Sequence, residues 1–311
     1  MEHVSVLLHE TVGLLNVKPD GIYVDATLGR GGHAQLLISQ LKNGHLYAFD
    51  KDEQAVMETM QRLSDVSDKI TVIRADFRDM KEELEKRGVT RIDGIMFDLG
   101  VSSPQFDEAD RGFSYRFDAR LDMRMDRRQE KDAAMIVNTY SKEELTKIFR
   151  EYGEERYASA IASNIVKTRS QRPIETTGEL TEVIRGSLPP KELHKKGHPA
   201  KKVFQALRIE TNDELGALKK GLQDALELLD VNGRCAVITF HSLEDRIVKN
   251  IFKDCSTAPF VEPKLPLKHQ QMEQASFQLI NKKPITASEE ELLHNNRAHS
   301  AKLRGIERVR G

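Results

Sequence analysis

Hydrophobic positions in the first hundred residues fall into short blocks that alternate between two periods. The runs IYVDAT (22–27), HLYAFD (45–50), ITVIRAD (70–76) and IDGIMFDLG (92–100) are apolar, rich in β-branched residues and short, which predicts buried strands. Between them, HAQLLISQL from His33, DEQAVMETMQRL and MKEELEKR carry apolar residues at helical spacing, as Leu36, Leu37 and Leu41 illustrate. The order βαβαβαβ predicts an α/β fold, a parallel sheet covered on both faces with ligands at the carboxyl ends of its strands. After Gln105 the alternation stops, and DEADRGFSYRFDARLDMRMDRRQE is polar and arginine-rich. From about Lys131 to Leu188 the pattern predicts helices, one of them the Ser141-capped EELTKIFREYG, and the punctuated PPKELHKKGHPAKK leads out of them. A helix from Glu214 to Leu229 ended by Asn232-Gly233, the strand RCAVITFHS, the helix EDRIVKNIF and a late pair, FQLINKKPI and SAKLRGIERVR, then resume the sheet. The short polar crossing between that pair predicts an antiparallel edge strand on a mostly parallel sheet. The expected division is a discontinuous core, 1–107 and 205–311, around an all-helical insertion, 108–204.

With 311 residues, 39% hydrophobic and 31% charged, the chain has the composition of an ordinary soluble protein with room for two such units. No run approaches a membrane span. The opening MEHVSVLLHE is interrupted by His3 and Glu10 and lacks a basic leader, so neither a signal peptide nor a membrane partner is expected, and cytoplasmic residence is the default. Cys235 and Cys255 provide no disulfide framework and are expected reduced. A net charge of -1 argues against a generally cationic nucleic-acid binder. Local basic stretches remain: six Lys/Arg to one Glu between Arg185 and Lys202, and five to one from Arg297 onward, both candidate RNA-facing surfaces.

Gly29, Asp50, Asp76 and Asp98 fall at or just past the predicted strand ends, where ligands bind. In VDATLGRGGHA the glycines at 29, 31 and 32 permit a tight turn and close approach of a nucleoside, and Asp50 stands at the distance expected for a carboxylate accepting ribose hydroxyls. The same residues, Gly29-x-Gly31-x-x-Ala34 followed by Asp50, satisfy the dinucleotide fingerprint, so an NAD enzyme and a nucleoside-dependent methyltransferase both stand. The stretch after Asp98 tilts the balance, because Ser103-Pro104-Gln105-Phe106 has a weak likeness to the Ser-Pro-Pro-aromatic corner of enzymes that methylate exocyclic amines. Plainer roles compete: His33 as a helix cap, Phe77 as core, Ser242 in HSLEDR as an N-cap, and His241 without an assigned role. His194 and His198 have helical ligand spacing but no cysteine or carboxylate partners beside them, so no metal is expected.

The strings VDATLGRGGHA, FDLGVSSPQF, RGFSYRFDARLDMRM, YGEERYA, FQALRI and ITFHSLEDRIVK resemble, nearly end to end, the bacterial small-subunit ribosomal RNA cytosine-N4 methyltransferase family known as RsmH or MraW. The resemblance implies a class I, Rossmann-like core that uses S-adenosylmethionine, with a helical RNA-recognition domain inserted after the fourth strand. It implies methylation of the N4 amine of a decoding-centre, P-site cytosine in the 16S rRNA of the small ribosomal subunit, and it allows a homodimer. Residue by residue it assigns cofactor contacts to Gly31, Gly32, His33, Asp50, Phe77, Asp98 and Gln105, leaving Asp76 as a further adenine-side carboxylate. Asp98, Ser102 and Ser103 are the candidate catalytic acceptors for the amine N–H groups. Arg120, Arg124, Arg127 and Arg128 are expected to hold the strand from which the base is displaced.

Overall fold

The structure is a computed structural model that describes residues 5–101, 103–195, 197–258 and 274–311, without the side chains of Ser103 and Pro104. Its described contacts divide the chain into two compact units, Met1–Gly100 with Gly216–Gly311, and Val101–Leu215.

The first unit is the alternating part. Helix α1 (Leu8–Leu15) precedes β1 (Ile22–Asp25), α2 (Gly32–Ile38), β2 (His45–Asp50), α3 (Glu53–Arg62), β3 (Ile70–Arg74), α4 (Met80–Glu85) and β4 (Ile92–Asp98). After the second unit come α12 (Glu214–Leu228), β5 (Leu229–Thr239), α13 (Ser242–Cys255), β6 (Phe277–Leu279), α14 (Glu289–His294) and β7 (Lys302–Arg308). Among the described residues these seven strands form one sheet in the order β3-β2-β1-β4-β5-β7-β6. The first five pair in parallel, while β7 runs antiparallel to β5 and to the outer strand β6. The sheet is thus the mostly parallel one expected, with its antiparallel pairing at the far edge. The strand that reverses is β7, one position in from the rim.

Order reverses between β1 and β4, both of which start outward-going halves of the sheet, and ligands of such sheets bind at that switch point. Both faces are packed. Phe49 and Phe97 lie with α12 residues Leu218, Leu222 and Ala225 in one cluster, and Tyr23 and Leu46 lie with Leu15 and Leu37 in another. A fully buried aromatic of this size contributes on the order of 2–3 kcal/mol. Asp245 of α13 accepts from Arg304 Nε (2.7 Å) and Nη2 (3.3 Å), which ties that helix to β7. The pairing holds the Asp245 carboxyl below its ordinary range against the opposing effect of burial.

The second unit contains helices and no named strand among its described residues: α5 (Ser103–Asp107), α6 (Ala133–Thr139), α7 (Lys142–Glu151), α8 (Ala158–Arg169), α9 (Thr177–Gly186), α10 (Pro190–Leu193) and α11 (Lys201–Asn212). Its own core includes Leu145, Phe149, Ile161, Ile165, Leu180 and Leu207. Ser141 caps α7 through a reciprocal box with Glu144, the signature read from the sequence. Neither α1 nor α11 was among the expected helices. The boundary expected between 204 and 205 falls inside α11, and the change of unit follows Leu215.

No helix among the described residues is long and apolar enough to cross a membrane. Cys235 and Cys255 are free thiols, and burial raises the pKa of both.

Candidate functional site

The carboxyl ends of β1, β2 and β4 bring three aspartates to one edge of the sheet. Each is the last residue of its strand. Asp50 accepts the backbone N–H of Gly29 (2.9 Å) with one oxygen and that of Asp52 (2.9 Å) with the other. Each oxygen keeps a second lone pair, so the carboxyl is held in place and can still accept a pair of hydroxyls. Burial, opposed by those two N–H groups, pushes Asp50 up to about 6.

The turn from β1 into α2 is anchored on its neighbours. Leu28 donates to the Phe49 carbonyl (2.8 Å), and Thr59 Oγ1 donates to the Gly29 carbonyl (2.8 Å). Gly31 caps α2 in the left-handed region at φ 68°, and a Cβ there would stand 2.6 Å from Thr59 Cγ2. Conformation and space both require glycine at that position. Gly32 is the first residue of α2. His33 follows and does not cap the helix: its Nε2 lies 3.1 Å from the Val6 carbonyl, and its Nδ1 lies 3.7 Å from Asp98 Oδ2.

Thr27 joins β1 to β4. Its Oγ1 accepts the backbone N–H of Asp98 (2.6 Å), and its own N–H donates to Asp25 Oδ1 (3.1 Å). Asp25 is 2% exposed, and its Oδ2 has no hydrogen-bond partner. Burial pushes its carboxyl up to about 7, with Asp50 adding to the shift. Desolvation and the nearby Asp25 push Asp98 up to about 8, although 31% of its side chain remains open to solvent. A carboxyl that is raised yet reachable can receive a cation or a proton. Sequence reasoning passed over Asp25. The signal available was an ionisable residue directly after the apolar run Ile22–Val24.

At the end of β3, burial works against ionisation of Asp76, but Lys51 Nζ (3.0 Å) and the Arg78 backbone N–H (3.0 Å) hold its pKa below the ordinary value. Asp76 therefore already has its partners. Phe77 packs its ring edge-on against Phe97 at 5.5 Å, and a Cβ on Gly221 of α12 would come within 2.6 Å of the Phe77 ring. The ring thus belongs to the packing between sheet and α12, and its residual exposure is what it can offer an adenine. Gln105, buried on α5, belongs to the second unit. Ser102 lies outside the described residues, as does the side chain of Ser103.

One expectation is corrected. The N-cap of α13 is His241, whose Nδ1 accepts from the Glu244 backbone N–H (3.4 Å) in a reciprocal box, so Ser242 is the first helical residue. The four arginines after Gln105 each meet an acidic side chain. Arg120 meets Asp132 (3.0 Å), Arg127 meets Asp110 (3.1 Å), and Arg128 grips Asp126 with Nε and Nη2. Arg124 is fixed bidentately on Asp122 and donates to the Gln129 carbonyl (2.8 Å). His198 stacks flat on Tyr115, rings 4.1 Å apart.

The residues present suit a cationic nucleoside ligand. The Gly31 turn permits close approach, Asp50 has paired lone pairs to spare, and the orphaned Asp25 oxygen and the Asp98 carboxyl favour positive charge. The model of the MraW methylase family matches residues 1–309. The ribosomal RNA small subunit methyltransferase H of Streptococcus dysgalactiae subsp. equisimilis is 54% identical over 311 residues, 99% of this chain and 98% of that protein. Among solved structures, an rRNA methylase from Streptococcus thermophilus aligns over 99% of this chain and 100% of its own at 13% identity and a TM-score of 0.45. A chain from Streptococcus mutans solved in complex with SAH aligns over 98% and 99% at 14% identity and a TM-score of 0.44.

Proposed function

The chain belongs to the MraW methylase family, and from that premise we propose that it is an rRNA methyltransferase using S-adenosylmethionine to methylate the N4 exocyclic amine of a P-site cytosine in 16S rRNA. The observation that carries the reading is the meeting of Asp50, Asp98 and the Gly31 turn at the switch point of the sheet. When bound, the donor supplies a sulfonium methyl already activated for in-line displacement.

The work left to the chain is placement and charge control. Asp50, fixed by two backbone N–H groups, accepts the ribose hydroxyls. The Gly31–Gly32 backbone lines the methionyl portion, with the His33 ring behind it. Asp98 stands where an acceptor amine gains charge as it is methylated, and a carboxylate there stabilises that charge. Gln105, Ser102 and Ser103 complete the contact set in this reading, and the exposed part of Phe77 faces the adenine.

The helical unit, expected to cover 108–204, serves as the RNA-recognition domain, with the basic stretch from Arg185 to Lys202 toward the phosphates. The small ribosomal subunit is the partner and the cytoplasm the place of action.

Incubation with methyl-labelled S-adenosylmethionine and small ribosomal subunits, followed by nucleoside digestion and mass spectrometry, tests the whole reading. Label in N4-methylcytidine at a single site is expected. Label on a ring carbon or a ribose, or no transfer by folded protein, overturns it.

A further inference from the structure

Asp25 takes no part in the contacts proposed so far, yet it is the more enclosed member of a pair of carboxyl groups. Its Oδ1 and the Asp98 backbone are both held by Thr27, and its Oδ2 is buried without a partner. Among the described residues no hydrogen bond reaches the Asp98 carboxyl oxygens, and His33 Nδ1 lies 3.7 Å from Oδ2. The Val6 carbonyl can only accept, so His33 Nε2 carries a proton and Nδ1 is the nitrogen turned to Asp98.

The charged groups around this pair come from every neighbouring element. Asp50 on β2 acts on Asp25, and Glu244 on α13 and Arg297 before β7 act on Asp98 in opposite directions. Two carboxyls in such a setting cannot both stay ionised cheaply.

We propose that Asp25 is a positioning residue that makes Asp98 hold a proton, release it when the cationic donor enters, and then act as the acceptor of the N4 proton after methyl transfer. The inference rests on the donor reading above. In the transfer the amine lone pair forms the N–C bond, the C–S bond breaks with its electron pair left on sulfur, and the positive charge passes to the amine. Asp98 then takes one N–H proton while the N–H electron pair stays on nitrogen. The proton affinity that Asp98 lost to the donor's charge returns when that charge is gone. Asp25 supplies the like charge that tunes this affinity without touching the substrate.

The test is titration calorimetry of S-adenosylmethionine and of its demethylated product into the full chain at pH 7, in two buffers of different ionisation enthalpy, which counts protons. Release of roughly half to one proton per donor bound is expected, with a smaller count for the product. Affinity for the donor should tighten about tenfold from pH 6 to pH 8. In Asp25→Asn the proton count should fall at least twofold and the pH dependence flatten, changes that a purely structural role would not produce. The wild-type count stands even if that variant fails to fold. Binding without proton release, at an affinity independent of pH, overturns this inference alone. Absence of binding by folded protein overturns the donor reading together with it.

Discussion

Thr27 Oγ1 accepts the backbone N–H of Asp98 at 2.6 Å, so a hydroxyl just past the end of β1 fixes the last residue of β4. The two strands carry the proposed donor and acceptor sides of the site, and this bond links them at the sheet edge. Replacing Thr27 with Val leaves the Asp98 N–H without its acceptor and should cost about 1–3 kcal/mol in urea unfolding. Thr27→Ser should stay within about 1 kcal/mol of wild type. Equal stability of the two variants would remove the hydroxyl from the account.

Gly31→Ala meets both a left-handed backbone and Thr59 Cγ2. The conformation alone costs about 1–2 kcal/mol, and relief of the contact requires the turn to shift. Donor affinity measured by calorimetry should fall at least about tenfold, since 1.4 kcal/mol is a factor of ten. Unchanged affinity would show that the turn does not contact the donor.

Asp25 also gives stability a pH dependence whose sign is determined. Its folded pKa is about 7, raised by burial, against about 4 when unfolded. Between those values the native state binds more protons than the unfolded chain, so stability falls as pH rises from about 4 to 7 and levels off above. The difference in unfolding free energy between wild type and Asp25→Asn should shrink across that window, by at most about 4 kcal/mol. Parallel stability curves for the two proteins would contradict the raised value.

Gly221→Ala puts a methyl against the Phe77 ring. Overpacking of this kind costs about 1–3 kcal/mol. Because Phe77 opens the turn after β3, the melting temperature and the donor affinity should fall together. A lower melting temperature with unaltered affinity would make Phe77 a core residue only.

Arg124 and its neighbours should separate. Arg124→Ala removes a bidentate pair with Asp122 and a donor to the Gln129 carbonyl, and should destabilise by about 2–3 kcal/mol. The exposed Arg127 and Arg128 should change stability by less than about 0.5 kcal/mol on substitution by Ala. If they meet phosphates, each loss should lower the salt slope of RNA binding by about one. A salt slope that does not move would confine both to their ion pairs with Asp110 and Asp126.

Much of the site was legible because its residues close local patterns. Asp50 and Asp98 close strands and Gly31 lies in the glycine-rich turn that follows one, and such features can be read from a few neighbours. The mostly parallel sheet with antiparallel pairing at one edge was legible from the same alternation, whereas the strand order was not. Phe77 shows the limit. Its sequence setting serves adenine contact or core equally well, and only its packing on Phe97 and Gly221 assigns most of the ring. The arginines after Gln105 are a second case, since composition counts their charges but not the aspartates that meet them. His241 is a third: Nδ1 caps α13 as an acceptor, a use of histidine that propensity does not flag. The choice between a dinucleotide enzyme and a methyltransferase was open on the glycines alone and closes on membership of the family.

Hydrophobic periodicity and turn chemistry, which act over a few residues, sufficed by themselves to determine the α/β class, the helical second unit and the carboxylates along the sheet edge. Tertiary structure decided which of those carboxylates face one another. Asp25 and Asp98 lie far apart in the chain, and the burial of Asp25 and the link of both through Thr27 arise only when β1 and β4 pack together. Desolvation and charge coupling depend on distance through space, and that distance is not encoded at any single position.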